Sequence, residues 1–468
     1  MFLELEKHRE STALLTENNH LLYGELSDLS RQIYQSVGYR SLVFHFCTNT
    51  SASIAGYVGF INGRAVPVML DAKLDAELAA HLVELYQPKF LWLPEARARE
   101  FSGNDVLHQG EYVLLSREVE SPFSLHDDLA LLMTTSGSTG SPKLVRQSYR
   151  NLQANTRSII EYLGIDAQER AVTNLPMHYV YGLSIINSHL QVGASLVVTE
   201  RTLFDREFWH LMREQEVTSF AGVPYTYAML AKLRFFRMKL PHLKTLTQAG
   251  GKLDTELHQA FADWAKTQGK RFVVMYGAAE ATARMGYLPP ELSLDKAGSM
   301  GKAIPGGRFE LVDESGNLIS EVGATGELVY YGENVTMGYA ESGADLARGD
   351  ERQGRYETGD MARCDADGIY TIVGRRKRFL KIFGKRTNLE EVEHLLRQHF
   401  SVVELACAGQ DDLMRIYTSE RGIADEIVPY LAIKLGLHPS AFRVHLVHEI
   451  PKNAAGKVAY GELEHIGV

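Results

Sequence analysis

The residues best suited to chemistry lie at positions 131–146, LLMTTSGSTGSPKLVR. An apolar run, residues 129–133, feeds a segment of small residues, 134–141, with a lysine just beyond it at 143. Gly137 and Gly140 can take φ > 0 and let backbone N–H groups converge without Cβ obstruction. Thr134, Thr135, Ser136, Ser138, Thr139 and Ser141 add hydroxyl donors, and Lys143 adds a point charge. This composition suits an anionic group, a phosphate first of all. The spacing is not the P-loop pattern, in which the lysine directly follows the second glycine at the mouth of a helix. Pro142 keeps Ser141 extended, residues 143–148 read as a short strand, and a helix is expected to start only near Asn151. A Ser/Thr/Gly run by itself is also the composition of a solvated loop. The order apolar strand, glycine loop, Pro-Lys is what favours the phosphate.

Further candidate residues follow in order. Residues 174–183, NLPMHYVYGL, combine a proline, aromatics, a histidine and a glycine, which reads as an irregular segment lining a cavity or as an aromatic packing corner. Gly250-Gly251 offers either close approach to a flat ring or a plain strand-to-helix turn. The strand expected at 271–275 runs into Tyr276-Gly-Ala-Ala-Glu280. A lone carboxylate just past the carboxyl end of a buried strand sits where α/β folds place ligands, and Glu280 is the hard oxygen ligand that Mg²⁺ on ATP phosphates requires. Asp360, on the glycine turn of YETGD, is a turn residue or an acceptor for two neighbouring hydroxyls of a ribose. Residues 374–386, GRRKRFLKIFGKR, carry basic side chains and no acid, either a solvated basic loop or an attractor for polyphosphate or an acidic partner.

The elements expected to position these groups alternate. Strands at 42–46 and 66–70 with helices at 52–61 and 74–86 have the rhythm of a layered α/β domain. Leu152, Ile159, Ile160 and Leu163 have helical spacing. Gly298, Gly301, Gly326, Gly332 and Gly338-Tyr339 suit a small β region with tight turns. Residues 388–468 read as a small α/β unit, with helices at 390–399 and 424–435 and strands at 402–408, 414–418 and 442–447. At 468 residues the chain is long for one core. Its net charge of −9, from 49 basic and 58 acidic residues, argues against nucleic-acid binding. No apolar run reaches the ~18 residues of a membrane span, and the charged start is unlike a signal peptide, so a cytoplasmic location is expected. Cys47, Cys364 and Cys407, odd in number and far apart, read as incidental reduced thiols.

Taken in order, these motifs closely resemble the adenylate-forming superfamily: acyl-CoA synthetases, aryl-CoA ligases, firefly luciferase and the adenylation domains of nonribosomal peptide synthetases. The resemblance covers about residues 20–465, and the short start leaves little room for an extra N-terminal domain. It implies an α/β fold, with a large N-terminal domain (1–376) of layered α/β subdomains plus a β-barrel-like region, then a small mobile C-terminal α/β domain (377–468). It assigns Thr135, Ser136, Gly137, Ser138, Thr139, Gly140 and Lys143 to ATP phosphates and Glu280 to Mg²⁺. Gly251, Lys252, Tyr276 and Gly277 fall on the adenine side, and Asp360 and Arg375 on the nucleoside. Lys457, in the loop 451–457, matches the mobile lysine that bridges substrate carboxylate and α-phosphate, where it offsets charge in the transition state. Lys377 matches the pivot between the adenylating and thioester-forming arrangements, and Gly384 the glycine that admits a pantetheine arm.

His178, Tyr179, Val180, Gly250 and Ala278 match the substrate pocket. The usual aromatic-then-histidine order is inverted, so Tyr179 falls at the gating position. Amino-acid-activating members commonly hold an aspartate near position 180, and a buried ammonium without a partner is costly. Val180 therefore favours a fatty, hydroxy or aryl acid. The implied reaction joins a small-molecule carboxylate to ATP, giving acyl-AMP and pyrophosphate, then transfers the acyl group to a thiol, CoA or phosphopantetheine on an acyl carrier protein. Ala279, where a threonine is usual unless Thr282 substitutes, and Leu144, in place of a glycine, motivate the rival expectation of a nucleotide-binding homologue with little turnover.

Overall fold

A computed structural model describes residues 2–119, 123–134, 143–383, 385–401, 404–410, 412–452 and 458–463. The chain forms two compact units, Met1–Phe309 with Tyr330–Tyr356, and Glu310–Val329 with Glu357–Val468.

Among the described residues the first unit carries two large sheets. The spatial order of one is Gly338–Ala340, Leu144–Ser148, Leu129–Thr134, Val66–Asp71, Leu42–Cys47, Phe90–Pro94, Tyr112–Ser116 and Asn104–Gln109. Its inner strands are apolar at nearly every position because both faces are covered. Along Leu42–Cys47, Leu42, Phe44 and Phe46 point into one cluster with Leu82, Val83 and Tyr86 of the helix Ala76–Tyr86. Val43 and Cys47 point into the other, with Ile54, Val58 and Ile61 of the helix Ser51–Asn62. Asp75 caps the first of these helices by accepting from the N–H groups of Glu77 and Leu78.

In the second sheet the order is Lys302–Ala303, Gly286–Tyr287, Arg271–Tyr276, Thr245–Gln248, Ser219–Gly222, Arg170–Val172, Ser195–Val197, Thr12–Leu15 and His20–Leu22. The strands from Arg271–Tyr276 to Thr12–Leu15 are parallel. Parallel neighbours need crossovers, here the helices Val180–Gln191, Arg206–Glu214, Pro224–Lys232 and Thr255–Thr267.

Three local expectations are corrected. The helix expected near Asn151 is Tyr149–Leu163, because the Ser148 hydroxyl accepts from Asn151 N–H (3.1 Å) while the Asn151 side chain accepts from Ser148 N–H (2.8 Å). The segment 174–183 is irregular only to Tyr179; the Tyr179 carbonyl accepts from Leu183 N–H (3.0 Å) and starts the helix Val180–Gln191. Gly338–Ala340 leaves the small β region and pairs antiparallel with residues 144–146.

The chain crosses between the units inside the strands Gly307–Val312, Thr325–Gly332 and Arg355–Cys364, which with Tyr370–Arg375 form a four-stranded sheet. The second unit also holds a three-stranded sheet, Leu405–Gln410, Leu413–Thr418 and Phe442–Leu446, and the helices Leu389–Phe400 and Ala424–Leu435 around Leu396, Ile416, Ile427 and Leu431. Among the described residues no helix is long and apolar enough to cross a membrane. The three cysteines are free.

The fully buried His45 ring has Nε2 2.9 Å from the Ser53 hydroxyl, and burial lowers its pKa from 6.5 to about 3. Burial also lowers that of His258 to about 4. From pH 6.5 downward the unfolded chain therefore binds protons that the folded one refuses, so this stability is complete above pH 6.5 and is lost on acidification. Each histidine accounts for about 2 kcal/mol between pH 6.5 and 5. Calorimetry is expected to show a thermal midpoint several degrees lower at pH 5 than at pH 7.5; an unchanged or higher midpoint contradicts this account.

Candidate active site

The glycine loop closes a hairpin. Leu129–Thr134 and Leu144–Ser148 pair antiparallel, with Thr134 opposite Leu144. Thr135, Ser136, Gly137, Ser138, Thr139 and Gly140 lie outside the described residues, as do Gly384 and Lys457. Lys143 is described. Its ammonium lies 3.9 Å from the centre of the Tyr339 ring and 3.5 Å from a Glu341 carboxylate oxygen.

Three residues further along, Arg146 is fully buried. Its guanidinium donates to the carbonyls of Tyr339 (3.0 Å), Met337 (3.2 Å), Gly349 (3.2 Å) and Arg348, and pairs with the Glu351 carboxylate. One side chain thus fastens residues 337–351 to the strand that leaves the glycine loop. Tyr339 is held there by its own backbone, and its hydroxyl donates to Glu280 Oε1 at 2.7 Å. Burial, with the Glu280 carboxylate second, pushes the Tyr339 pKa up to about 12, so the phenol keeps the proton it donates.

Glu280 arrives from the other sheet. Past the carboxyl end of Arg271–Tyr276 the chain turns back sharply, and a Cβ on Gly277 would lie 1.8 Å from the Ala283 carbonyl oxygen. Ala279–Ala281 is a short 3₁₀ turn. Thr282 follows at φ +65°, with Ala283 N–H donating to the Ala281 carbonyl, a three-residue turn that is costly for a β-branched residue. The Asn334 side chain braces it by donating to the carbonyls of Ala281 (2.9 Å) and Arg284 (2.8 Å). The Thr282 hydroxyl donates to the Asn334 carbonyl (2.7 Å), so it is committed inward and does not replace the hydroxyl missing at Ala279. The Glu280 carbonyl accepts from Thr336 N–H, the Thr336 hydroxyl and the Arg352 guanidinium (3.1 Å), which also lies over the Tyr339 ring at 4.5 Å.

Among the described residues no three His, Cys, Asp or Glu side chains group to hold a metal ion. Mg²⁺ keeps several waters and needs only one or two carboxylates beside phosphate oxygens. Glu280, with one oxygen taken by Tyr339, fits a metal that arrives with a nucleotide.

On the other side of this turn, Tyr276 lies 6.3 Å from Phe309, ring centre to ring centre. Gly250 has φ +85°, and a Cβ there would meet the Tyr179 hydroxyl at 2.6 Å, so these two expected pocket residues adjoin. His178 Nε2 is 3.8 Å from Asp71, and burial lowers the pKa of the ring despite that carboxylate. Val180 is buried among Met177, Leu183 and Ala283. Gly251 and Lys252 are exposed, and Ala278 is half-buried.

In the second unit Asp360 sits opposite Arg375 in the Arg355–Cys364 and Tyr370–Arg375 pair, with Asp360 Oδ1 3.0 Å from Arg375 Nε. Lys377 lies in the turn Arg376–Arg378.

The structure therefore brings together Lys143 with Glu280, Tyr179 with Gly250, and Asp360 with Arg375. Sequence reasoning missed Tyr339, Arg352 and Arg146. The Gly-Tyr pair was visible as a pattern, and an arginine inside the apolar-polar run after Leu144 was the one available signal for Arg146.

A sequence model described as AMP-binding enzyme matches residues 3–340. The chain is 28% identical to the 2-succinylbenzoate–CoA ligase of Bacillus licheniformis, over 86% of this chain and 85% of that one. It is 27% identical to a feruloyl-CoA synthase of an Amycolatopsis species, over 72% and 70% of the two chains. In fold it is similar to the O-succinylbenzoate coenzyme A synthetase of Bacillus subtilis in complex with ATP and magnesium ion, with a TM-score of 0.79 and 22% identity over 98% of both chains.

Arg146→Met removes one donor from each of four carbonyls and from the Glu351 carboxylate and is expected to destabilise the protein by about 3 kcal/mol or more, read as a lower thermal midpoint. Tyr339→Phe removes one hydrogen bond to a carboxylate, worth about 1.5 kcal/mol or more. It is expected to lower the midpoint far less than Arg146→Met while raising the half-saturating Mg²⁺ concentration for ATP-dependent turnover about tenfold; an unchanged Mg²⁺ requirement would remove Tyr339 from the positioning role.

Proposed function

The chain belongs to the AMP-binding enzyme family, within the adenylate-forming superfamily, and on that premise we propose that this AMP-forming acid–thiol ligase activates an aryl carboxylic acid and delivers it to CoA. One observation carries the assignment of its chemical centre. A lysine at the foot of the glycine loop and a carboxylate past a strand end, remote in sequence, meet on the two sides of one tyrosine, 3.9 Å from its ring centre and 2.7 Å from its hydroxyl. A cation and a metal-binding carboxylate at that separation suit a triphosphate carrying Mg²⁺.

In the first half-reaction a substrate carboxylate oxygen attacks the α-phosphorus of ATP. The bond to the bridging oxygen breaks, and pyrophosphate leaves with that oxygen. Lys143 and the loop 135–140 hold the β- and γ-phosphates, and their donors offset the charge gathering on the leaving group. Glu280 holds Mg²⁺, which supplies charge neutralisation when bound. Asp360 and Arg375 take the nucleoside, and Tyr276, Gly251, Lys252 and Gly277 flank the adenine. Lys457 completes the site by bridging the substrate carboxylate and the α-phosphate. In the second half-reaction the thiol of CoA attacks the acyl carbon, and AMP leaves.

We keep the functional division at residues 1–376 and 377–468, with the pivot at Lys377 and the thiol path at Gly384. Aryl acids are favoured over fatty and hydroxy acids because the relatives named for an acid are named for 2-succinylbenzoate and ferulate. CoA is favoured over a carrier protein for the same reason. Val180, buried among apolar side chains, excludes an ammonium at that point of the pocket.

Carboxylate-dependent exchange of pyrophosphate into ATP, with aryl, fatty, hydroxy and amino acids and no thiol present, tests the reading. Exchange is expected with aryl acids and none with α-amino acids; exchange with amino acids alone would overturn the substrate assignment. Lys457→Ala is expected to abolish this exchange yet form thioester from synthetic acyl-AMP, and Gly384→Leu to do the reverse. Equal failure of both variants in both half-reactions would rule out the two-arrangement cycle.

A further inference from the structure

A cavity of about 40 Å³ lies in the first unit between the helices Tyr149–Leu163 and Val180–Gln191 and the strands Ser219–Gly222 and Thr245–Gln248. Most of its wall is apolar, including Ile159, Val172, Ile185 and Phe220. Arg284 stands in that wall with only 3% of its surface exposed. Its donor contacts are to neutral groups: Nε to the Met275 sulfur at 3.4 Å, a terminal nitrogen to the Ala283 carbonyl at 3.4 Å, and the Tyr162 hydroxyl. The guanidinium is stacked 3.9 Å over the Tyr181 ring and forms no ion pair with any described residue. Glu169, the acid that shares this cavity, accepts instead from the Thr218 hydroxyl.

A guanidinium stays charged at any physiological pH. Buried without an anion it is disfavoured, and stacking on tyrosine offsets only part of that. A carboxylate in the cavity would remove that deficit through two parallel N–H···O bonds. The room matches, since roughly 10–15 Å³ of this space holds one water-sized group and a carboxylate has three heavy atoms.

The location ties the cavity to the acid pocket. Tyr181 lines it, packs in one apolar cluster with Ala221, Ala249 and Met275, and has its ring centre 6.4 Å from that of Tyr179. Tyr179 is the residue whose hydroxyl faces Gly250. Tyr181 thus stands between Tyr179 and Arg284, touching the surroundings of both.

We propose that the acid activated by this protein is a dicarboxylate, one carboxylate being adenylated while the second stays ionised and pairs with Arg284 in this cavity. The proposal rests on the ligase reading above and adds to it the residue that selects the substrate. The adenylation of the first carboxylate is unchanged; the second forms and breaks no covalent bond.

The experiment compares acids that differ by one carboxylate: 2-succinylbenzoate against 4-oxo-4-phenylbutanoate, and suberate against octanoate. The ratio of kcat/KM within each pair is read from pyrophosphate release. Wild-type protein is expected to prefer the diacid of at least one pair by tenfold or more. Arg284→Met is expected to lower that ratio at least tenfold, and Arg284→Lys to recover part of it. A ratio at or below one in both pairs, or a ratio that Arg284→Met leaves unaltered, overturns the proposal even though turnover upholds the ligase reading. Silence with all four acids while MgATP still binds overturns both. Should Arg284→Met fail to fold, the wild-type thermal midpoint decides: the preferred diacid must raise it by more than its monoacid partner, and an equal shift counts against Arg284.

Discussion

Arg146 is the constraint on which the centre depends. A fully buried guanidinium is tolerable only where its donors are met, and here the acceptors are backbone carbonyls from one remote segment together with Glu351. The segment cannot shift along the strand without stranding those donors. Because that strand also leaves the glycine loop, the clamp fixes Tyr339 against Lys143. Tyr339 then fixes Glu280, whose carbonyl is held in turn by Thr336 and Arg352. Lys143 and Glu280, the cation and carboxylate proposed for phosphate and metal, come from different sheets, and this polar chain holds both against Tyr339.

The turn beyond Glu280 has the opposite economy. It holds a threonine at positive φ and a glycine that tolerates no Cβ. Asn334 and Asn155 donate to its carbonyls from two directions. Strain of this kind persists where surroundings over-determine it. What the turn secures is the placement of two side chains: Glu280 against Tyr339, and Arg284 in the wall of the apolar cavity.

In the second unit a similar device follows Lys377. Arg378 is buried, pairs with Glu393, donates to the Cys407 carbonyl and lies 3.8 Å over the Tyr460 ring. The Glu393 carboxylate also accepts from Cys407 N–H at 2.7 Å. Residue 378 is thereby joined to the core of the small α/β body, and Arg375, three residues earlier, is paired with Asp360. These two anchors flank residues 376 and 377, the place proposed for the pivot.

Much of this was legible in one dimension. The short apolar run at 42–46 and the 3.6-residue spacing in 151–163 depend only on local geometry, and the strands and helices they imply are present. The glycine loop, Glu280 and Asp360 were visible because their chemistry needs particular residues in a particular order. Caps shifted boundaries by a residue or two, as at Ser148, since a side-chain hydrogen bond rather than periodicity sets where a helix begins. The sequence by itself thus determined the layered α/β fold and the adenylate-forming family, and it singled out the groups proposed to react. Only the tertiary structure decided that Tyr339 joins Lys143 to Glu280, that Thr282 turns inward, and that Arg284 lines a cavity with no ion pair among the described residues. Those facts depend on which distant backbone carbonyls and carboxylates come within about 3 Å of a donor, and neither composition nor spacing encodes that distance.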